Sequence, residues 1–281
     1  MAVGAGSTLP AMYEPDRTID TGSVTLAVDD RGSGGATPLV LIHGFTGGRI
    51  DWADVIDDLA ADRRVVAWDH RGHSDSTNTG DPATYTFDQL VADAIAVLGA
   101  LELDRFHLLG HSMGGIVAQK LVLEHPELVE SLILMDTLAE PALSLPRDWI
   151  EKTVTVGREQ GMATVADFMA TFTESSSVAP EADRPRIAAR NRHKLANMDV
   201  EAFASLAEEL RSFPSLLPRL GAITCPTTVL VGELDAGLRD AADSIAKAIP
   251  GAELVVIDGA AHCPQEERRS AWMEAMRAHL G

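Results

Sequence analysis

The chain has few cysteines and no long hydrophobic run. Only two cysteines, Cys225 and Cys263, occur among 281 residues, and they lack the spacing of a metal site. A disulfide scaffold is therefore excluded, and we expect free thiols, with a single disulfide as the alternative. The apolar runs fall far short of the roughly 18 residues that a membrane-spanning helix needs. The first ten residues lack the basic and apolar segments of a secretory signal, so we expect a cytoplasmic protein.

Basic residues are also scarce. The chain has 23 Lys and Arg against 42 Asp and Glu, which gives a formal net charge of −19. Such a chain repels phosphate backbones and anionic lipid headgroups, so we expect neither a nucleic-acid nor a membrane partner. Hydrophobic residues make up 46% of the sequence, as in ordinary globular proteins, which excludes general disorder.

Short apolar runs alternate with helical patterns along most of the chain. Runs rich in Val, Ile and Leu are typical of buried strands, and residues 23–29 alternate like an antiparallel edge strand. The strands are predicted at 23–29, 38–43, 64–69, 106–110, 131–136, 227–232 and 252–258, and helices at 86–101, 113–124 and 265–280. This order predicts an α/β fold with a mostly parallel sheet covered by helices.

The alternation is interrupted between residues 138 and 221, where no convincing strand occurs. Helical periodicity predicts helices at 163–172, 184–194 and 200–211. We interpret this interval, 138–221, as a helical cap inserted into a core formed by residues 1–137 and 222–281. The alternative is a set of further crossover helices, but a crossover rarely needs so many residues.

The most specific motif is Gly-His-Ser-Met-Gly at residues 110–114. It stands between a predicted strand and a predicted helix, which is the context of a nucleophile elbow. The sharp turn projects the hydroxyl of Ser112 above the sheet, and glycine is required two residues to either side to avoid clashes. Ser112 is therefore the candidate nucleophile.

A serine hydroxyl needs a base and a group that orients the base. In this architecture they follow in the order serine, acid, histidine. Asp235 and His262 fulfil that order, and each follows a predicted strand, where the sites of parallel sheets form. The acid is less certain, because Glu233 is a neighbour and Asp136 ends the strand that follows the elbow.

The charge that develops on the carbonyl oxygen requires backbone N–H donors. The amide of Met113, directly after the nucleophile, is one expected donor. The amide of Phe45, in the glycine-containing loop after the strand at 38–43, is the other. His43 precedes that loop, and we expect it to hold the loop through hydrogen bonds.

These motifs together resemble the α/β-hydrolase superfamily over about residues 23–280, apart from the cap. They are His-Gly-Phe at 43–45, Asp-His-Arg-Gly-His-Ser at 69–74, the elbow at 110–115, Gly-Glu-Leu-Asp at 232–235 and Gly-Ala-Ala-His at 259–262. The resemblance implies an eight-stranded, mostly parallel sheet with a helical cap inserted after the sixth strand. It also implies that no cofactor and no metal is needed.

The branches of this superfamily differ at single positions. Epoxide hydrolases and haloalkane dehalogenases resemble the chain but use an aspartate nucleophile, whereas position 112 is serine. C–C bond hydrolases often carry Asn before the serine and Trp after the histidine, where this chain has His111 and Cys263. The menaquinone-pathway synthase resembles residues 43–52 but usually has Arg at the position of Ile116. Cofactor-free haloperoxidases and enol-lactonases share the run Ser-Met-Gly-Gly.

We therefore expect a serine hydrolase that cleaves small to medium, largely apolar carboxylic esters or lactones through an acyl-enzyme. The alternatives that stay open are a C–C bond hydrolase, a cofactor-free haloperoxidase, an acyltransferase and a small-molecule receptor that retains the triad. A homodimer is also left open.

The cap is expected to set the specificity. Apolar side chains predicted there as pocket or core residues are Trp149, Phe168, Met169, Phe172, Leu195 and Met198. Three arginines, Arg186, Arg190 and Arg192, are expected either on a solvated helix face or as ligands of a substrate carboxylate.

Overall fold

The computed structural model describes residues 13–281, and within one helix it describes only the backbone of residues 171–176. The prediction for the first ten residues therefore lies outside the described part of the chain. The same holds for the side chain of Phe172, a predicted pocket residue.

Eight strands form one sheet in the order β1-β2-β4-β3-β5-β6-β7-β8. The strands are β1 (Arg17–Asp20), β2 (Thr25–Arg31), β3 (Ala36–Ile42), β4 (Arg63–Trp68), β5 (Phe106–His111), β6 (Val129–Met135), β7 (Thr227–Gly232) and β8 (Glu253–Ile257). β2 runs antiparallel to β1 and β4, and all other neighbours are parallel. The prediction of an eight-stranded, mostly parallel sheet is confirmed.

Ten α-helices lie between or after these strands in the described residues. They are α1 (Ile56–Leu59), α2 (Phe87–Ala100), α3 (Met113–Glu124), α4 (Arg147–Gln160), α5 (Met162–Ser176), α6 (Arg184–Ala196), α7 (Val200–Ser212), α8 (Ala236–Ala248), α9 (Pro264–Glu267) and α10 (Arg269–Leu280). None of the helices in residues 13–281 combines the length and apolarity needed to cross a membrane.

The central strands are buried on both faces, which is why they consist of continuous Val, Ile and Leu runs. Because side chains alternate along a strand, Val40 and Leu108 enter one core layer, and Leu39 and Leu109 enter the other. The sheet is therefore a rigid support whose carboxyl-terminal edge carries the loops described below.

Four helices, α4 to α7, fill the interval between β6 and β7, and no strand lies among them in the described residues. The sequence patterns identified only the last three, because α4 is dominated by polar residues. The division of the chain into core and cap stays a prediction.

Three local predictions differ from the structure. β2 is antiparallel but lies inside the sheet, because the short strand β1, which buries only Ile19, pairs outside it. The predicted last helix is split at Arg268, whose backbone (φ −138°, ψ 52°) is not helical. Helix α8 was not predicted, since it buries only Ala242 and Ile245.

Candidate active site

The elbow at Ser112 has the geometry that the sequence motif predicts. Ser112 joins β5 to α3 with a backbone of φ 54° and ψ −120°, a strained conformation for a residue with a side chain. A Cβ atom on Gly110 would lie 2.4 Å from the carbonyl oxygen of Gly114, and one on Gly114 would lie 2.4 Å from that of Ile42. Only glycine fits at both positions, so the tight turn depends on them.

Two hydrogen bonds hold the strained residue in place. The Ser112 amide donates to the carbonyl of Met135 at 2.9 Å, and the Thr137 hydroxyl donates to the carbonyl of Ser112 at 2.6 Å. Both partners come from the end of β6 and the residues that follow it. The end of the neighbouring strand β6 therefore holds the serine in its strained conformation, which would relax without such support.

A chain of two hydrogen bonds links three residues that are far apart in sequence. His262 Nδ1 lies 2.6 Å from Asp235 Oδ2, and His262 Nε2 lies 3.1 Å from Ser112 Oγ. Because a carboxylate only accepts, Nδ1 carries the proton and Nε2 is left to accept the serine proton. The arrangement can therefore move a proton from the hydroxyl to the imidazole.

The loop that carries His262 is fixed from the core side. The ring of His111 donates from Nε2 to the carbonyl of His262 at 2.7 Å, and the two rings lie 4.9 Å apart. Burial lowers the pKa of His111 to about 3, with the His262 ring as a second cause, so His111 is neutral. It positions the loop without adding charge beside the serine.

Asp136, the alternative acid, lies at the end of β6 behind this chain. Its Oδ1 accepts from the Gly232 amide at 2.9 Å rather than from His262. Burial, reinforced by the neighbouring Asp235 carboxylate, raises the pKa of Asp136 to about 9. Asp136 is therefore protonated at neutral pH, whereas the group that orients a charged imidazole must be an anion. Glu233 is also turned away, since its carboxylate accepts from the Gly259 amide at 2.8 Å.

Among the described residues, one group of side chains lies close enough together to share a metal ion. It consists of Asp136, Asp235 and His262, whose ligand atoms lie within 4.8 Å of one another. Both ring nitrogens of His262 already have hydrogen-bond partners, and a protonated Asp136 is a poor ligand. The trio is therefore better suited to proton transfer than to metal binding.

The two residues predicted to supply oxyanion donors, Phe45 and Met113, line one cavity together with Ser112. Met113 is the first residue of α3, and the first amides of a helix have no partner within the helix. Phe45 follows Gly44, which packs so closely on the elbow that a Cβ there would lie 2.8 Å from the Cβ of Ser112. The role of these two amides as oxyanion donors stays a prediction.

His43 holds the loop that carries Phe45. Its Nδ1 donates to the Gly44 carbonyl at 2.8 Å, and its Nε2 accepts from the His70 amide at 3.0 Å. Burial holds the pKa of His43 well below its usual range, so the ring is neutral. His43 therefore connects the loops after β3 and β4.

Two cavities meet at the serine. Both are lined by Phe45, Ser112 and His262. One reaches residues of α5 and α6, and the other reaches α7, α8 and the residues that follow β6. None of the predicted pocket residues Trp149, Phe168 and Met198 is among their lining residues. Trp149 packs against the ring of Phe203, Met198 is buried, and Phe168 is 60% exposed. Of the other apolar candidates, Met169 and Leu195 do line one cavity.

The prediction of a solvated arginine face on α6 is wrong for Arg190, which is fully buried. Its guanidinium pairs with Glu266 at 2.6 Å and with Asp54 at 2.8 Å. Arg186 also pairs with Asp54, so the carboxylates that these two arginines bind belong to the protein itself. The sequence patterns did not indicate these pairs, although positions 186, 190 and 194 recur at helical spacing.

Lys194 is a cavity residue that the sequence patterns missed. It lies on α6, is 6% exposed and pairs with Asp51, which belongs to the loop region after β3. Both residues line the same cavity as Ser112. Only the i, i+4 repeat with Arg190 could have indicated that Lys194 faces inward.

Comparisons of the sequence and the structure with known proteins show the family to which the chain belongs. The model of a family described as alpha/beta hydrolase fold matches residues 37–269. A putative carbamate hydrolase RutD from Rhizobium rhizogenes is 30% identical over 230 residues, which cover 81% of this chain and 86% of that protein. A fluoroacetate dehalogenase from a Burkholderia species is 37% identical over 125 residues. This match covers 43% of the chain and only 40% of the dehalogenase.

Among solved structures, the enol-lactonase from Burkholderia xenovorans LB400 superimposes with a TM-score of 0.80. It is 26% identical to this chain, and the match covers 94% of this chain and 99% of the enol-lactonase. The similarity therefore extends over nearly the whole of both chains.

Proposed function

Since the chain belongs to the α/β-hydrolase family, we propose that it hydrolyses carboxylic esters or lactones of small to medium size through an acyl-enzyme on Ser112. The observation that carries the proposal is the pair of hydrogen bonds from Ser112 to His262 and from His262 to Asp235, at 3.1 and 2.6 Å. The substrate is a small molecule with at least one apolar arm. The similarity to an enol-lactonase supports the same bond class.

In the proposed reaction, Ser112 Oγ attacks the carbonyl carbon while His262 Nε2 accepts the hydroxyl proton. Asp235 holds the ring through Nδ1 and stabilises the imidazolium that forms. The amides of Phe45 and Met113 bind the oxyanion, and removing one such donor typically costs about 3 kcal/mol of transition-state stabilisation. His262 then protonates the departing alcohol, and water repeats the steps to release the acid.

The residue at position 112 argues against dehalogenation, even though part of the chain resembles a fluoroacetate dehalogenase. An aspartate nucleophile is an anion that needs no base, whereas a serine must lose its proton to His262. A serine that is hydrogen-bonded to an imidazole suits attack on an acyl carbon. Carbamates are acyl compounds too, and a carbamate is therefore included in the test below.

The test combines covalent labelling with turnover. Phenylmethylsulfonyl fluoride is expected to add one sulfonyl group to Ser112, seen by intact-protein mass and peptide mapping. Ser112→Ala should lower kcat on p-nitrophenyl esters by about 10⁶-fold, the loss typical of a triad serine. Ser244→Ala, an exposed serine on α8, is the matched control and should leave kcat unchanged.

The outcomes separate the alternatives. Binding of esters with turnover below about 0.01 per second would favour a receptor, because enzymes usually turn over about 1 to 1000 times per second. A higher yield with an added alcohol or thiol acceptor would favour acyl transfer. Faster cleavage of a carbamate than of the matching ester would change the proposed substrate class from esters to carbamates. An unlabelled Ser112, together with full activity of Ser112→Ala, contradicts the proposal.

A further inference from the structure

Two cavities of similar size meet at Ser112 and His262. One has a volume of about 350 Å³ and the other about 270 Å³. Both are lined by Ser112 and His262, so a carbonyl bound at the serine has room for a substituent on each side. The substrate is therefore expected to extend in two directions from the scissile bond.

We call the larger cavity the apolar chamber, after the side chains that dominate it. Its aliphatic lining residues are Ile116, Leu138, Ala142, Leu145, Leu210 and Leu238. Its described lining residues include no lysine or arginine and one carboxyl group, Asp136, which is protonated at neutral pH because burial raises its pKa to about 9. A hydrocarbon arm gains from burial here, because its apolar surface leaves water for an apolar lining.

We call the smaller cavity the polar chamber, because its lining includes Asp51, Asn191, Arg192 and Lys194. The carboxylate of Asp51 already accepts from Lys194 and, at 3.0 Å, from the Gly48 amide. An ammonium group has three N–H donors, and in the described part of the chain Asp51 is the one acceptor bonded to Lys194. Lys194 therefore keeps donor capacity for a further acceptor in this chamber.

Arg192 adds to that capacity. Its Nε donates to Asp167 on α5, and both side chains are about half exposed. Such surface pairs contribute little to stability, so the guanidinium can exchange this partner at small cost. Its two Nη groups have no acceptor among the described residues. Among the described residues, the lining of the chamber thus carries two cations and one carboxylate, while His111 is neutral because its pKa is about 3.

We propose that the polar chamber binds a carboxylate on the substrate. Preferred substrates are then esters or lactones with a hydrocarbon arm on one side of the scissile bond and a carboxylate-bearing arm on the other. The net charge of −19 does not oppose this, since surface charges are screened over about 10 Å whereas Lys194 is buried at the chamber wall. The inference rests on the proposed function and names its substrate class.

The experiment compares matched substrate pairs. In one pair the acyl arm carries the charge: monobutyl glutarate against its terminal carboxamide. In the other the alcohol arm carries it: 4-(butyryloxy)butanoate against its terminal carboxamide. Chromatography of released butanol or butyrate gives kcat/KM for each. In at least one pair the carboxylate is expected to exceed the carboxamide about tenfold, the value of one charge-assisted hydrogen bond.

Variants assign the preference to the chamber. Arg192→Gln, at an exposed position, should lower the carboxylate-to-carboxamide ratio about fivefold or more, and Lys194→Met should lower it further if the variant folds. Arg158→Gln is the matched control, because Arg158 also forms an exposed pair from a neighbouring helix, with Glu201, outside both chambers. It should leave the ratio unchanged. Because the ratio is measured within each variant, a general loss of folded protein does not change it.

A carboxamide preference in both pairs, or an unchanged ratio in Arg192→Gln, would overturn the inference. Hydrolysis of the carboxamides that still requires Ser112 would then leave the proposed function intact. If none of the four compounds is hydrolysed and Ser112 is not labelled by phenylmethylsulfonyl fluoride, the failure lies with the proposed function instead.

Discussion

The floor of the site, formed by β5, β6 and the elbow, and its roof, formed by α6, are held by different forces. On the floor, Ser112 is fixed by backbone hydrogen bonds and by contacts too close for any residue but glycine. On the roof, Arg190 and Lys194 are held by buried carboxylates of the core. Ser112 is therefore held by backbone hydrogen bonds and close backbone packing, and Arg190 and Lys194 are held by ion pairs.

This difference determines how each part responds to change. Backbone geometry and apolar packing are insensitive to pH and salt, whereas a buried ion pair depends on both partners keeping their charge. Glu266, which pairs with Arg190, shows how burial disfavours the charged form. Burial raises the pKa of Glu266 to about 7, although the guanidinium of Arg190 opposes that shift. The roof is thus the part that conditions and substitutions can alter without destroying the chemistry below.

Apart from the loss of Ser112 itself, the largest expected effect separates the two carboxyl groups near His262. Asp235→Asn should lower kcat by about 10⁴-fold, because an amide cannot hold His262 in the required tautomer. Asp136→Asn should cost less than about tenfold, since Asp136 is already neutral and contacts Gly232 rather than the imidazole. Steady-state kinetics on a p-nitrophenyl ester measures both. The reverse order would transfer the orienting role to Asp136.

A smaller effect is expected on the roof, and on stability rather than on chemistry. Arg190→Met removes the partner of two carboxylates and should lower the free energy of unfolding by about 3 to 5 kcal/mol. Arg158→Gln, which breaks an exposed pair, should cost less than about 1 kcal/mol. Urea denaturation followed by circular dichroism measures both. Equal losses of unfolding free energy in the two variants would show that burial does not increase the contribution of the Arg190 ion pairs to stability.

A rescue variant tests the reason for that loss. Replacing Glu266 as well, in Arg190→Met with Glu266→Gln, removes one of the two stranded carboxylates. The double variant should therefore recover part of the lost stability, because an unpaired buried charge is the main cost. If the double variant is no more stable than Arg190→Met alone, the loss comes from packing of the long side chain instead.

The sequence predicts the floor far better than the roof. The elbow at Ser112 is a local pattern, and Asp235 and His262 follow from the rule that strand ends meet at one edge of a parallel sheet. No local pattern pairs Arg190 with Glu266, which lies 76 residues further along the chain. The pocket position predicted for Phe168 also fails, because the hydrophobicity of a residue does not say which side of its helix is covered by the rest of the protein.

The smallest prediction returns to the floor and tests the state of Asp136. Its pKa is about 9 in the folded protein and close to 4 in an unfolded chain, so folding takes up a proton between these values. Stability must therefore fall as the pH rises through that range, by up to about 1.4 kcal/mol per pH unit. Asp69 and Glu266, with pKa values of about 7, add the same slope only below neutral pH.

Between pH 7.5 and 8.5 the comparison with Asp136→Asn isolates this one group, because an amide does not titrate. The free energy of unfolding of the natural chain should fall over that unit by about 1 kcal/mol more than that of the variant. Urea denaturation at the two pH values measures the difference. Parallel slopes would mean that Asp136 is already ionised. Two adjacent carboxylates would then lie beside His262, which contradicts the assignment of Asp136 as the neutral neighbour of Asp235.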